Sequence, residues 1–295
     1  LDLSYIVPAL PSIILDGIAL GLILSLISSG LTMIYGLGNV LNLAHGELLV
    51  LSTVTTAVLS QLIGLPVILS LFLGVTVTLL ASAFLDKILL IPAYRLEGDD
   101  RTILGIYMTL AFAYALHSAL ITTFPNAYLT INVPIRVIEI GWVTLRMSQL
   151  ITSLVSLAIL VGLYLFLKKT WHGMAIRSLT QNEIGAMLVG IHIRRYRLMV
   201  FMIGGLLVSL AGFIRSIVAT VGPESGIEFT ILGLLVCITG GIRSISGTLV
   251  AGIIIGVIYT FLIAIIGSYL AYVLILVFVM ILILVRPYGI LGERW

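Results

Sequence analysis

His45 and Glu47 lie two residues apart in the stretch NVLNLAHGELL (39–49), with Asn42 and Gly46 beside them. An imidazole and a carboxylate are common proton carriers and metal ligands, so the pair invites a catalytic or a metal-binding reading. Proton transfer to a substrate would also need a nucleophile and an oxyanion site, and no motif assembles them. Ser244 and Ser246 are candidate nucleophiles for an intramembrane hydrolase using His45, but no GxSG or GxGD arrangement accompanies them. Residues i and i+2 of a helix face different ways, so His45 and Glu47 make a poor metal pair, and no HExxH occurs. The reading is therefore no catalytic residue, no metal site and no cofactor. What remains is positional chemistry. The polar groups either satisfy backbone released where two helices break, which is the first reading of His45, or line a solute path.

The surroundings of this polar stretch decide what it must do. The 295 residues are 61% hydrophobic and only 9% charged, with a mean hydropathy of +1.27. A soluble domain carries about 25% charged residues. This chain has too few for a solvated skin, so its apolar surface must face lipid. Its apolar runs are about 20 residues long and do not alternate, which excludes a β-barrel. The expected fold class is all-α, a polytopic transmembrane helical bundle of about 8–9 spans, in one membrane domain over 1–295. Candidate spans run 16–37, 46–63, 66–91, 102–122, 148–167, 197–219, 228–241, 248–266 and 269–285. The seventh is short and glycine-bounded, as a half-helix or a tilted helix would be. Gly64, Pro66, Pro92, Pro125, Pro134, Pro223 and Pro287 fall between spans or at a span's first residue, where breakers belong.

Charge gives orientation. If all nine spans cross, Lys87, Arg95, Arg101, Lys168, Lys169, Arg177, Arg194, Arg195, Arg197, Arg243, Arg286 and Arg294 share one side. Arg136, Arg146 and Arg215 take the other. That asymmetry puts the first set and the C-terminus in the cytoplasm, as in a multi-pass protein of the inner or plasma membrane. The net charge of +3 is spread over several loops and forms no stripe, so no nucleic-acid partner is expected. The single cysteine, Cys237, sits in an apolar run and reads as a small buried hydrophobe.

Two segments lie outside the spans. Residues 123–147 form an external loop with two prolines and alternating apolar and polar residues. Residues 168–196 form a cytoplasmic loop that predicts a short amphipathic helix around 174–189. Its polar face is nearly neutral, Arg177 against Glu183, which favours a protein groove over a lipid surface.

Small residues recur every fourth position at Gly17, Gly21, Ser25 and Ser29, and again at Gly252 and Gly256, a spacing that packs helices closely. The block GGIRSISGTLVAG (240–252) is a polar interruption, carrying Gly240, Gly241, Ser244 and Gly247. With Asn42, His45, Gly46 and Glu47 it supplies the candidate translocation-path and helix-break residues. The segment GPESGIEFT (222–230) is a third interruption. Spans 1–2 and spans 6–7 each read helix, polar break, helix in opposite orientations, the pattern of an inverted repeat with broken helices. No GK[ST] occurs, so any ATP used must be bound by another chain. The buried acid pairs of an ion-coupled carrier are also missing.

Four stretches together resemble a known family. GIALGLILSLISSGLTMIYGLGNVLNLAHGELLVLSTV (17–54) is similar to the opening of the branched-chain amino acid ABC importer permeases. Gly17, Gly30, Leu31, Ile34, Tyr35, Gly36, Asn42, Ala44, His45 and Gly46 match its pattern. MAIRSLTQNEIGAMLVGI (174–191), GGIRSISGTLVAGIIIG (240–256) and RPYGILGE (286–293) resemble later blocks of the same family, in order. Arg243 departs, standing where the family usually has glycine. The resemblance implies a type II ABC importer-like fold and a permease subunit for branched-chain or related amino acids. It implies two ABC ATPase subunits, a second permease chain, identical or homologous, and an extracytoplasmic substrate-binding protein, all around membrane lipid. It also implies that Arg177, Gln181, Asn182, Ala186 and Gly190 belong to a coupling helix seated on the ATPase. Urea or short amides as cargo, and an ATP-independent channel or carrier, are the rival readings.

Overall fold

The computed structural model describes residues 6–130, 137–140, 143–286 and 288–291. Pro134, Arg136, Pro287, Arg294 and the end of the RPYGILGE block lie outside the described residues. Helices α1 (Ile6–Gly38), α2 (His45–Ala57), α3 (Val67–Phe84) and α4 (Gly98–Thr123) come first. An antiparallel hairpin, β1 (Val137–Ile140) and β2 (Val143–Arg146), follows within the segment 123–147, pairing Val137 with Arg146 and Ile140 with Val143. Then come α5 (Met147–Lys169), α6 (Trp171–Gln181), α7 (Glu183–Leu188), α8 (Ile193–Val218), α9 (Gly226–Gly240), α10 (Ile245–Ile266) and α11 (Ser268–Val285). Single π-type turns extend α2 to Leu62 and α3 to Leu89.

Eight of these helices, some with an adjoining turn, are long and apolar enough to cross a membrane, so the chain is a multi-pass membrane protein. The expected span 46–63 is not among them. Its helix proper has 13 residues, and it starts inside the bundle rather than at its edge. The amphipathic helix expected over 174–189 is two helices. Asn182 leaves the helical region (φ −150°, ψ 101°), ends α6 and caps α7, its Oδ1 accepting from Gly185 N at 2.8 Å. An asparagine placed to satisfy a free amide starts a new helix more readily than it continues an old one.

α1 is the central post. It has 33 residues, so it extends about 50 Å, and it packs against α10, α8, α9 and α5. Its stretch Leu22–Ile34 is buried throughout. α2 is likewise sheathed, whereas α3, α4, α5 and α11 present Phe72, Leu80, Tyr107, Leu154 and Leu284 outward. Polar hydroxyls instead turn inward and bond back to their own helices. Ser25 Oγ donates to Gly21 O at 2.8 Å, Ser28 Oγ to Leu24 O at 2.7 Å and Ser29 Oγ to Ser25 O at 2.7 Å. Turned inward, these hydroxyls keep polar surface away from lipid, the inverse of a soluble protein's arrangement.

The closest seam joins α1 to α10. A Cβ on Gly21 would stand 2.7 Å from Ile253 Cα, and one on Gly17 would stand 2.6 Å from Val257 Cα. Gly252 and Gly256 abut Gly21 from the other side, and Ser25 Oγ lies 3.4 Å from Thr248 O.

The two ends of the bundle differ. One carries α6 and α7, tied on by Arg101–Glu183 at 3.5 Å. There Asp86 accepts from Arg197 Nε at 3.3 Å and from the Tyr94 hydroxyl at 3.0 Å, while the Arg197 guanidinium covers the Tyr94 ring at 3.3 Å. Burial, then the neighbouring Asp86 carboxylate, push the Tyr94 hydroxyl above its ordinary pKa. The other end is closed by loops, with Leu129 paired to Val221 and Gln61 Nε2 donating to Tyr128 O at 3.1 Å.

Gly252→Val, which must push α1 and α10 apart, is expected to lower stability by about 1–3 kcal/mol or more. Gly162→Ala, with nothing within 4 Å of its Cβ position, is expected to hold or raise it. Thermal unfolding in detergent measures both.

Candidate functional site

α1 stops because Asn39 takes a left-handed conformation (φ +50°), one of the few non-glycine residues that does so readily. The chain then folds back instead of leaving the bundle. His45, the first residue of α2, stands beside Ile27 of α1, about 16 Å short of that helix's end at 1.5 Å per residue. The backbone of 39–44 therefore lies among helices, where each polar group needs a protein partner.

Threonines from two other helices supply those partners. On α4, Thr102 Oγ1 donates to Asn39 O at 3.0 Å. Thr109 Oγ1 donates to Leu41 O at 3.1 Å and accepts from Leu43 N at 3.2 Å. On α9, Thr230 Oγ1 accepts from Gly46 N at 2.9 Å, one of the free amides that open α2. Asn42 Oδ1 accepts from Ala44 N at 3.1 Å and makes the turn itself. His45 Nε2 lies 3.1 Å from Ile27 O, and a carbonyl only accepts, so Nε2 carries the proton. The imidazole fills the space over Gly30 and Gly204, joining α1 to α8.

α9 mirrors α2. The chain leaves α8, turns through Gly222–Ser225 and re-enters, so that Gly226 opens α9 directly against Gly46. A Cβ on Gly46 would fall on the Gly226 carbonyl, and one on Gly226 would fall on the Glu47 carboxylate. α2 runs from this junction toward one end of the bundle and α9 toward the other. Two helix N-termini, each with partial positive charge, thus meet inside the bundle. The carboxylate of Glu47, 1% exposed, sits between them and meets His117 Nδ1 of α4 at 3.1 Å. His117, Gly226, Thr230 and Thr109 complete this junction. In sequence His117 reads as an ordinary helix histidine, 70 residues from its partner.

The other break residues lie elsewhere. Gly240 and Gly247 pack face to face, and Ser244 caps α10 by accepting from Gly247 N at 3.1 Å. The residues after α11 tie down this turn, Ile290 N donating to Thr239 O at 2.8 Å. Ser244 meets Ser246 at 3.4 Å while His45 is engaged at the inner junction, so no serine–histidine pair forms. Among the described residues, no group of three His, Cys, Asp or Glu could hold a metal ion.

Gly241 and Ser244 line a cavity of about 700 Å³ together with Arg177 and Gln181 of α6. This brings members of the break set and of the coupling set to one place. Within the coupling set, Asn182 caps α7 and Ala186 is buried beneath it. Gly190 closes α7 at φ +87°, with Ile191 N donating to Ala186 O at 3.1 Å. The residues that face outward are others: Ile184 is 69% and Leu188 83% exposed, with Val189 beside them. Their i, i+4 spacing was visible in sequence, but which face α7 buries was not.

Thr230→Val keeps the shape of the side chain but strands the Gly46 amide. A loss of about 1–3 kcal/mol is expected in thermal unfolding. Thr76→Val, on the exposed face of α3, should change stability by less than about 0.5 kcal/mol.

The family described as branched-chain amino acid transport system / permease component matches residues 13–285. A probable branched-chain amino acid transport permease protein LivH of Methanocaldococcus jannaschii is 27% identical over 293 residues, 92% of this chain and 90% of the relative. The high-affinity branched-chain amino acid transport system permease protein BraD of Pseudomonas aeruginosa is 24% identical over 297 residues, 95% of each chain. The LivH protein of Escherichia coli K12 is 23% identical over 298 residues, 94% of each.

Proposed function

The chain belongs to the permease-component family of branched-chain amino acid transport systems, and from that membership we propose that it is the membrane subunit of an ATP-driven importer. Its cargo is leucine, isoleucine or valine. It works with two ATPase subunits, a second permease chain and an external substrate-binding protein. It lies in the inner or plasma membrane with the α6–α7 end and the C-terminus in the cytoplasm, where its lysines and arginines gather.

The observation that carries this reading is α7. Ile184, Leu188 and Val189 form an exposed apolar face on a helix whose other side is seated on the bundle by buried Ala186 and by the Arg101–Glu183 pair. A stand-alone carrier has no use for such a face outside the membrane, whereas a groove on an ATPase would cover it. Closure of the ATPases then moves α6 and α7 together. The motion reaches α5, which runs into α6 through Thr170, and α1, whose Gly36 meets Thr180. Alternating access follows if this push moves the helices that flank the α2–α9 junction, opening it to each side in turn.

Ile184→Asp with Leu188→Asp is expected to abolish copurification of the ATPase subunits and to cut leucine uptake at least tenfold, since buried anchors are worth about 2 kcal/mol or more each. Uptake that persists in this variant would refute ATP coupling. Competition by isoleucine and valine, and none by urea, is expected in the wild type. Competition by urea alone would move the cargo to short amides.

A further inference from the structure

The 700 Å³ cavity at the α6 end carries a charge that amino acid transport does not explain. Its wall includes Lys168 at the end of α5, Arg177 on α6 and Arg243 in the turn before α10. None of the three joins an ion pair among the described residues; each spends its donors on neutral acceptors. Lys168 Nζ donates to the Tyr164 hydroxyl at 3.2 Å, Arg177 to Lys168 O at 3.5 Å and Arg243 to Asn39 Oδ1 at 2.9 Å. The N-terminus of the 22-residue α10, with its cap Ser244, opens onto the same space and adds partial positive charge. No described lining residue is acidic. The wall thus offers three cations to an anion and no carboxylate to the ammonium group of a zwitterionic amino acid.

Its depth narrows the choice. The exposed rings of Tyr164 and Tyr288 line it, as aromatic side chains do at a membrane–water interface. Ile238, Ile242 and Leu291 line the rest of the wall with apolar surface. Basic pockets between transmembrane helices at this level suit phosphate-bearing headgroups. We propose that Lys168, Arg177 and Arg243 hold a phosphate anion in this cavity, carried by an anionic phospholipid headgroup or supplied as free phosphate. The proposal gives Arg243 a role in place of the glycine its relatives are expected to carry.

The test titrates the purified full chain, in neutral detergent, with phosphatidylglycerol, phosphatidylcholine or inorganic phosphate while following Tm. Phosphatidylglycerol is expected to raise Tm saturably and phosphatidylcholine to leave it unchanged. Lys168→Gln with Arg243→Gln should weaken the apparent affinity about tenfold per cation removed. Lys169→Gln, one residue outside the lining, should keep wild-type affinity. Arg243→Lys, which keeps the charge with less change of shape, should retain most binding and guards against a misfolded double variant. A Tm rise with inorganic phosphate alone, lost in the same double variant, would assign the site to a soluble anion. The proposal fails if neither anion raises Tm, if phosphatidylcholine matches phosphatidylglycerol, or if Lys169→Gln loses as much as the double variant.

Discussion

A helix that begins inside a membrane protein exposes several amides where no water can reach them, and an unpaired amide in hydrocarbon costs several kcal/mol. Both α2 and α9 begin this way. Much of the interior follows from answering that cost. Thr102 and Thr109 fix α4 across the first break, Thr230 fixes α9 to the start of α2, and Asn42 turns the chain between them. Gly46 and Gly226 are small because two backbones must touch there. The Glu47 carboxyl lies where two helix dipoles point their positive ends, and His117 meets it from α4. The junction is therefore held by electrostatics and shape together.

The same economy shapes the outside. With few charges to spend, the chain turns many of its hydroxyls inward onto its own carbonyls and offers lipid a mainly apolar surface. Contact between helices must then come from close packing, which explains the seam of Gly17, Gly21 and Ser25 against Gly252 and Gly256. Most of the basic residues gather at one end of the bundle. There they anchor α7 through Arg101, pin the turn after α3 through Arg197, and leave Lys168, Arg177 and Arg243 around an open cavity. One end of the molecule thus carries both an exposed apolar face and a cationic pocket, while the other is closed by loops.

Much of this was legible in the residues. Uniform hydropathy over stretches of helical length reveals spans because lipid admits no other surface, and glycine or proline marks their ends. The fourfold spacing of small residues marks a seam for the same reason. The polar breaks were visible as interruptions, and the family resemblance followed from their order. Harder to read was where α7 divides, since Asn182 caps a helix only once its neighbours place Gly185 N within reach. The hairpin at Val137–Arg146 left only an alternating pattern as its trace.

The sequence by itself determined that this chain lives in a membrane as many helices, that its charges gather at one end, and that polar residues interrupt it at 39–49, 222–230 and 240–252. Those are properties of single segments, set by the free energy of moving each from water to lipid. Tertiary structure alone decided that the first two interruptions meet backbone to backbone at Gly46 and Gly226 while the third reaches the first only through Arg243 and Asn39, that Glu47 finds His117 across 70 residues, and that Arg177 and Arg243 share one cavity. Those are relations between distant segments, and only the packing of the whole bundle chooses which buried donor faces which acceptor.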